Sequence, residues 1–120
     1  MAIVPDYKDD GSVVWAVYLI NLKNETIESV LVTSRGYGFH KGEKVKTSTL
    51  RHFLNSIPAN NYAEVEKILE NVFGLNNEYW VSFYINREIY DRKYLFLPES
   101  IREENFTRIP IVEKRGVMIR

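Results

Sequence analysis

The sequence contains no cysteine, no long apolar run and no excess of either charge. Without cysteine the protein has no disulfides, no thiolate nucleophile and no cysteine-ligated zinc, and a reducing compartment such as the cytoplasm fits best. The 16 basic and 16 acidic side chains cancel, which argues against a general attraction to nucleic acid or to an anionic membrane. The longest apolar run, Val13 to Ile20, is too short to span a bilayer, and no signal peptide is recognisable. We therefore expect one cytoplasmic domain, 1–120.

The segment from Glu78 to Leu97 has the strongest structural signal in the chain. It holds two runs of β-branched and aromatic residues on either side of a polar break at Asn86 to Glu88. Such runs around a short polar break are typical of a β-hairpin. The pattern predicts a hairpin that turns at this break, with Val81 and Phe83 buried.

Other segments of similar character predict further strands at Ser12 to Ile20, Ile27 to Ser34, Lys44 to Phe53 and Arg108 to Ile119. The first two of these are expected to pair as an antiparallel hairpin across the turn-rich residues between them. Pro110 suggests that the last strand lies at an edge or bulges, because proline cannot donate a ladder hydrogen bond.

The segment from Asn61 to Phe73 fits two structures equally well. As a helix it would have Asn61 as N-cap, Glu64 in the first turn and Gly74 beyond its end. As a strand, Tyr62 to Ile68 would follow Pro58 and help to close two sheets over one core. The strand reading gives a mainly β protein, an antiparallel β-sandwich of six to seven strands that is immunoglobulin- or fibronectin-like. The helix reading gives an α+β domain with one helix at 61–73.

The glycine-rich segment from Arg35 to Glu43 is the best candidate for a ligand-binding loop. Glycine-rich loops on rigid sheets commonly carry function, although no phosphate-binding motif is present. The side chains that we expect to contact a ligand are Arg35, Tyr37, His40 and Lys41.

Catalytic and metal-binding motifs are missing from the chain. His40 and His52 are the only histidines, and they form no HxH or HExxH pattern. No GxSxG elbow marks a nucleophilic serine, and the acidic segment Asp6 to Asp10 lacks the spacing of a calcium loop. We expect a non-enzymatic protein with no metal and no cofactor.

Aromatic and basic residues alternate in the second half of the predicted hairpin. This pairing is used to stack single-stranded bases, but nearby acids and the absence of an RNP1 pattern argue against nucleic acid. We predict instead a protein-interaction surface, used by another protein or by a homodimer and extended by an exposed edge strand. Its candidate residues are Tyr84, Tyr90, Arg92, Tyr94 and Ile111.

Five stretches, VVWAVYLINLKN, VLVTSRGYG, KTSTLRHF, NNEYWVSFYI and FLPESI, carry a resemblance that covers nearly the whole chain. Through them the protein resembles a group of short bacterial proteins, some of which carry the label phenylalanyl-tRNA synthetase alpha subunit. No class II synthetase motif can be placed here, so the resemblance assigns no catalytic residue. It implies, as an alternative to a protein-interaction module, a translation-linked accessory protein that associates with the synthetase or with RNA. A small-ligand binder is the third possibility.

Overall fold

The computed structural model describes residues 1–120, and most of them lie in β-strands. The ten strands are β1 (Ala2–Tyr7), β2 (Val13–Asn21), β3 (Ile27–His40), β4 (Glu43–Lys46), β5 (Leu50–Ile57), β6 (Asn61–Ile68), β7 (Asn76–Ile85), β8 (Glu88–Phe96), β9 (Thr107–Arg108) and β10 (Arg115–Met118). Two short 3₁₀ turns, Glu70–Val72 and Glu103–Asn105, are the only helical segments. No helix has the length and apolar character that crossing a membrane requires.

The strands form two antiparallel sheets that pack face to face, so the predicted β-sandwich is confirmed. Sheet I has the order β6-β2-β1-β10-β9. Sheet II has the order β4-β3-β7-β8, and β5 pairs with β3 ahead of β4 along the same edge. The chain has ten strands instead of six or seven, because turns divide several predicted strands and β1 was not predicted. The immunoglobulin- or fibronectin-like assignment stays a prediction.

One hydrophobic core lies between the two sheets. Successive side chains of a strand point to opposite faces, so alternate residues of each sheet reach this core. Sheet I contributes Val17 and Leu19, and sheet II contributes Val32, Val81 and Phe96. Both sheets depend on the same core, as expected for one domain.

The C-terminal segment covers part of the outer face of sheet I. The predicted strand from Arg108 to Ile119 is wrong, because Pro110 lies in a turn that separates β9 from β10. The chain reverses at Ile111, whose φ is 71°, and the Val112 N–H donates to the Pro110 carbonyl at 2.8 Å. β10 lies between β1 and β9 and is therefore not an edge strand. The turn closes a second buried cluster made of Ala2, Val4, Ile20, Ile109 and Val112.

The predicted hairpin between Ser12–Ile20 and Ile27–Ser34 is wrong, although both segments are strands. β2 pairs with β1 and β6 in sheet I, whereas β3 pairs with β4, β5 and β7 in sheet II. The residues between them cross from one sheet to the other. The predicted strand from Lys44 to Phe53 is also divided, because the chain leaves the ladder after β4 and re-enters it as β5.

The ambiguous segment from Asn61 to Phe73 begins as a strand, β6, and ends in a 3₁₀ turn. β6 pairs with β2 at the edge of sheet I and buries Val65 in the core. Tertiary pairing therefore overrides the helical spacing of its apolar residues. The α+β alternative is wrong.

The predicted hairpin from Glu78 to Leu97 is confirmed as β7 and β8. Asn86 and Arg87 have φ values of 49° and 70°, as a two-residue turn between twisted strands requires. Val81 is buried as predicted, but Phe83 is only half-buried.

Gly116 has no space for a side chain. A Cβ atom at this position in β10 would lie 2.4 Å from the Ile3 carbonyl oxygen and 2.9 Å from a methyl group of Val4. Since the closest atom belongs to the backbone of the paired strand, Gly116→Ala must push β1 and β10 apart. We expect this substitution to lower the free energy of unfolding by about 1–3 kcal/mol, measured by urea denaturation. Gly42→Ala is the matched control, because a Cβ at Gly42 would have open space around it, although φ is +80° there. If both substitutions lowered the free energy of unfolding equally, the cause would be the loss of glycine's backbone freedom and not crowding at Gly116.

Candidate functional site

The outer face of sheet II carries large apolar side chains that no other segment of the chain covers. Trp80 is 47% exposed and Phe53 is 61% exposed. Leu31 is paired with Phe53 on β5 and with Ser82 on β7, and paired residues point to the same face of a sheet. Trp80 and Tyr84 lie two residues before and after Ser82, so they point to that face as well. We refer to this surface as the exposed face and define it by Leu31, Phe53, Trp80, Tyr84 and Ile89.

Charged residues flank the exposed face at both ends. Near Trp80 the Glu78 carboxylate accepts a hydrogen bond from Arg35 Nε at 2.6 Å and lies 3.2 Å from Lys93 Nζ. The hydrogen bond from Arg35 and the nearby Lys93 hold the pKa of Glu78 below its usual value, although desolvation opposes this. The Glu78 side chain is buried, whereas the side chains of Arg35 and Lys93 are about half exposed.

The Glu78 carboxylate should make the free energy of unfolding depend on pH in the acidic range. The pKa of Glu78 is lower in the folded protein than in the unfolded chain. The carboxylate therefore stabilises the fold above its unfolded-state pKa, and this stabilisation is lost as the pH falls through its folded-state pKa. We expect the free energy of unfolding to decrease with acidification below the ordinary glutamate pKa of 4.5, and to decrease less in Glu78→Gln. Identical pH profiles of the two proteins in urea denaturation would contradict this assignment.

The predicted ligand loop is wrong as a loop, because it is a long β-ribbon. β3 continues to His40, and Lys41 and Gly42 alone form the turn to β4. The arrangement separates the four candidate residues into two pairs. The Arg35 guanidinium lies 5.3 Å from the centre of the Tyr37 ring, whereas His40 and Lys41 lie at the exposed tip.

A polar cluster that the sequence did not predict lies between the sheets around Glu66. Its carboxylate accepts hydrogen bonds from Ser34 Oγ at 2.9 Å and from Tyr79 OH at 3.0 Å, and His52 Nε2 lies 2.7 Å from the same oxygen that Ser34 contacts. Burial, followed by the negative charge of Glu66, raises the pKa of Tyr79 well above its usual value. Because serine and histidine both face the carboxylate, they do not form the nucleophile and base pair of a hydrolase.

No group of three or more histidine, cysteine, aspartate or glutamate side chains is arranged to hold a metal ion. The Glu66 cluster contains one carboxylate and one imidazole, and the carboxylate oxygens are already occupied by donors. The cluster therefore acts as a cross-link between β3, β5, β6 and β7.

The predicted interaction residues do not form one surface. Tyr84 belongs to the exposed face, whereas Tyr90, Arg92 and Tyr94 alternate with its residues along β8 and lie on the opposite side of sheet II. Ile111 is half-buried in the turn over sheet I. The sequence analysis missed most of the exposed face, since only the pairing of β3 with β5 and β7 brings its members together.

Comparison with protein-family models, with curated proteins and with solved structures finds no match to this chain. A function can therefore be inferred only from the structure, an antiparallel β-sandwich whose exposed face is rich in aromatic side chains.

Proposed function

We propose that this protein is a cytoplasmic, non-enzymatic protein-interaction module that binds a second copy of itself through the exposed face. The single observation that carries the proposal is the exposure of five large apolar side chains on one side of sheet II. Solvent-exposed apolar patches of this kind mark protein contact sites, and aromatic residues dominate the binding energy of such sites. On the outer face of sheet I, by contrast, the chain's own C-terminal turn buries the apolar residues Ala2, Val4 and Ile20.

The distribution of charge supports a second copy as the partner. Glu28 and Asp91 lie beside Tyr84 and Ser82, towards the β7–β8 turn. Arg51 lies beside Thr33, and Arg35 and Lys93 both contact Glu78, so the end farther from that turn carries three cations and one acid. A twofold axis across the strands would bring the acidic end of one copy against the basic end of the other, as the isologous contact of a symmetric dimer requires.

Sedimentation velocity tests this proposal over a range from micromolar to millimolar protein. We expect a monomer–dimer equilibrium, and we expect Phe53→Lys to leave a monomer because it puts a charge in the apolar contact. Phe53 is exposed, so the substitution should not affect folding. The control Tyr7→Lys changes another exposed aromatic residue, at the end of β1, and should leave the equilibrium unchanged.

A native protein that remains monomeric at millimolar concentration would overturn self-association. Equal weakening by Phe53→Lys and Tyr7→Lys would show that the contact is not made through sheet II.

The β3–β4 ribbon supports a second candidate function, the translation-linked one, in which the protein contacts RNA. Phe39 is 69% exposed, and Lys41, Lys44 and Lys46 are exposed on the same ribbon. Basic groups that follow a phosphate backbone and an aromatic ring that stacks on a base are the two parts of single-strand binding. Fluorescence anisotropy with a labelled single-stranded RNA should detect salt-sensitive binding that Phe39→Ala weakens, and binding that is unchanged by Phe39→Ala would reject this candidate.

A further inference from the structure

A cavity of about 200 Å³ opens at one end of the sandwich, away from the exposed face. Nine of its thirteen lining residues are hydrophobic, and they come from both sheets. Leu19 and Met118 belong to sheet I, and Val81, Phe83 and Tyr94 belong to the inner side of sheet II. The volume is below the range of drug-sized pockets, so it suits a short hydrocarbon or a single ring.

The polar part of the lining consists of Asn21 and three cations, with no acidic residue. The Asn21 amide already donates to the backbone carbonyls of Glu25, Ile57 and Pro58, so it is occupied within the fold. The three cations, by contrast, form no ion pair with any acid of the chain. They are Lys23, Arg92 and Arg120.

The environment of the Met1 amino group is consistent with a positive potential at this cavity. Burial lowers the pKa of this group to about 5, and the charges of Arg92 and Arg120 lower it further in the same direction. Arg92 and Arg120 therefore lie close enough together to act on the same group, and their charges favour an anion there, whereas burial opposes one.

We propose that this cavity binds a small amphipathic carboxylate, whose hydrocarbon part fills the apolar walls and whose carboxylate group contacts Arg92 and Arg120. A guanidinium can donate two parallel hydrogen bonds to a carboxylate. Apolar walls with a few convergent polar groups are the usual composition of a small-molecule site. The site is separate from the exposed face and from the β3–β4 ribbon, so it does not depend on the proposed function.

Titration of the full chain with octanoate, followed by two-dimensional NMR, tests the proposal. We expect saturable shifts of the backbone signals of Leu19, Val81 and Met118. Octanamide, which has the same chain length and no charge, should bind about ten-fold more weakly because it cannot form a charge-assisted pair with arginine. Arg92→Gln and Arg120→Gln should each weaken octanoate binding by a similar factor, whereas Lys114→Gln, which removes an exposed cation that does not line the cavity, should leave it unchanged.

Equal affinity for octanoate and octanamide would overturn the proposal, as would octanoate shifts confined to the exposed face or no saturation at millimolar ligand. Because Arg120 is exposed and forms no ion pair within the chain, Arg120→Gln keeps the test valid if Arg92→Gln does not fold.

Discussion

Replacing Phe96 by alanine is expected to lower the free energy of unfolding by about 3–5 kcal/mol. Phe96 is 1% exposed and lies at the end of β8, where its ring meets the Tyr79 ring edge-to-face at 6.1 Å between centroids. Truncation would remove this contact and leave a cavity in the one core that both sheets share. Urea denaturation gives the difference directly.

Phe83→Ala is the matched comparison, since Phe83 belongs to the same hairpin and also packs against the core. It is only half-buried and stacks on Tyr90 at 5.7 Å, so its truncation should cost about 1–3 kcal/mol. Equal losses at Phe83 and Phe96 would contradict the burial that distinguishes the two rings.

Glu66→Ala is expected to cost about 3 kcal/mol, because removing one carboxylate leaves several donors between the sheets without an acceptor. Ser34, His52 and Tyr79 all direct a polar atom at Glu66. The loss should appear in chemical or thermal denaturation as reduced stability of the whole domain, because the cluster joins strands of both sheets.

Glu64→Ala provides the control for this prediction. Glu64 lies on the same strand and is exposed, so its removal should change stability by no more than about 0.5 kcal/mol. If Glu64→Ala and Glu66→Ala were equally destabilising, the loss would come from replacing any glutamate in β6 and not from breaking the hydrogen bonds of Glu66.

The parts of the fold that sequence reasoning found are local. The β7–β8 hairpin was predicted because its turn, at Asn86 and Arg87, lies between two β-rich runs that are neighbours in the chain. The sandwich class followed from the number and spacing of such runs. β1 is an exception, because it pairs with the next strand, β2, and was still missed. Its run of apolar residues before Pro5 and Asp6 is too short to give a strand pattern, and β10, its other partner, lies at the far end of the sequence.

The candidate sites depend on pairing that the sequence does not reveal. β2 and β3 are separated by a segment that resembles a hairpin turn, yet the chain uses it to change sheets. The alternation of Trp80 and Tyr84 along β7 indicates one side of a sheet, but Leu31 and Phe53 join them only through the register of three strands. Glu66 and its donors likewise come from four separate strands.

The two tryptophans provide the most direct measurement of the central claim, that the exposed face is a contact surface between copies. Trp80 lies on that face, whereas Trp15 is buried and its indole N–H lies 3.3 Å from Glu70 Oε1. The indole N–H signals of both residues can be followed by NMR during dilution from millimolar to micromolar protein. We predict that the Trp80 signal shifts with concentration and the Trp15 signal does not; a Trp80 signal that stays constant over this range would contradict the claim.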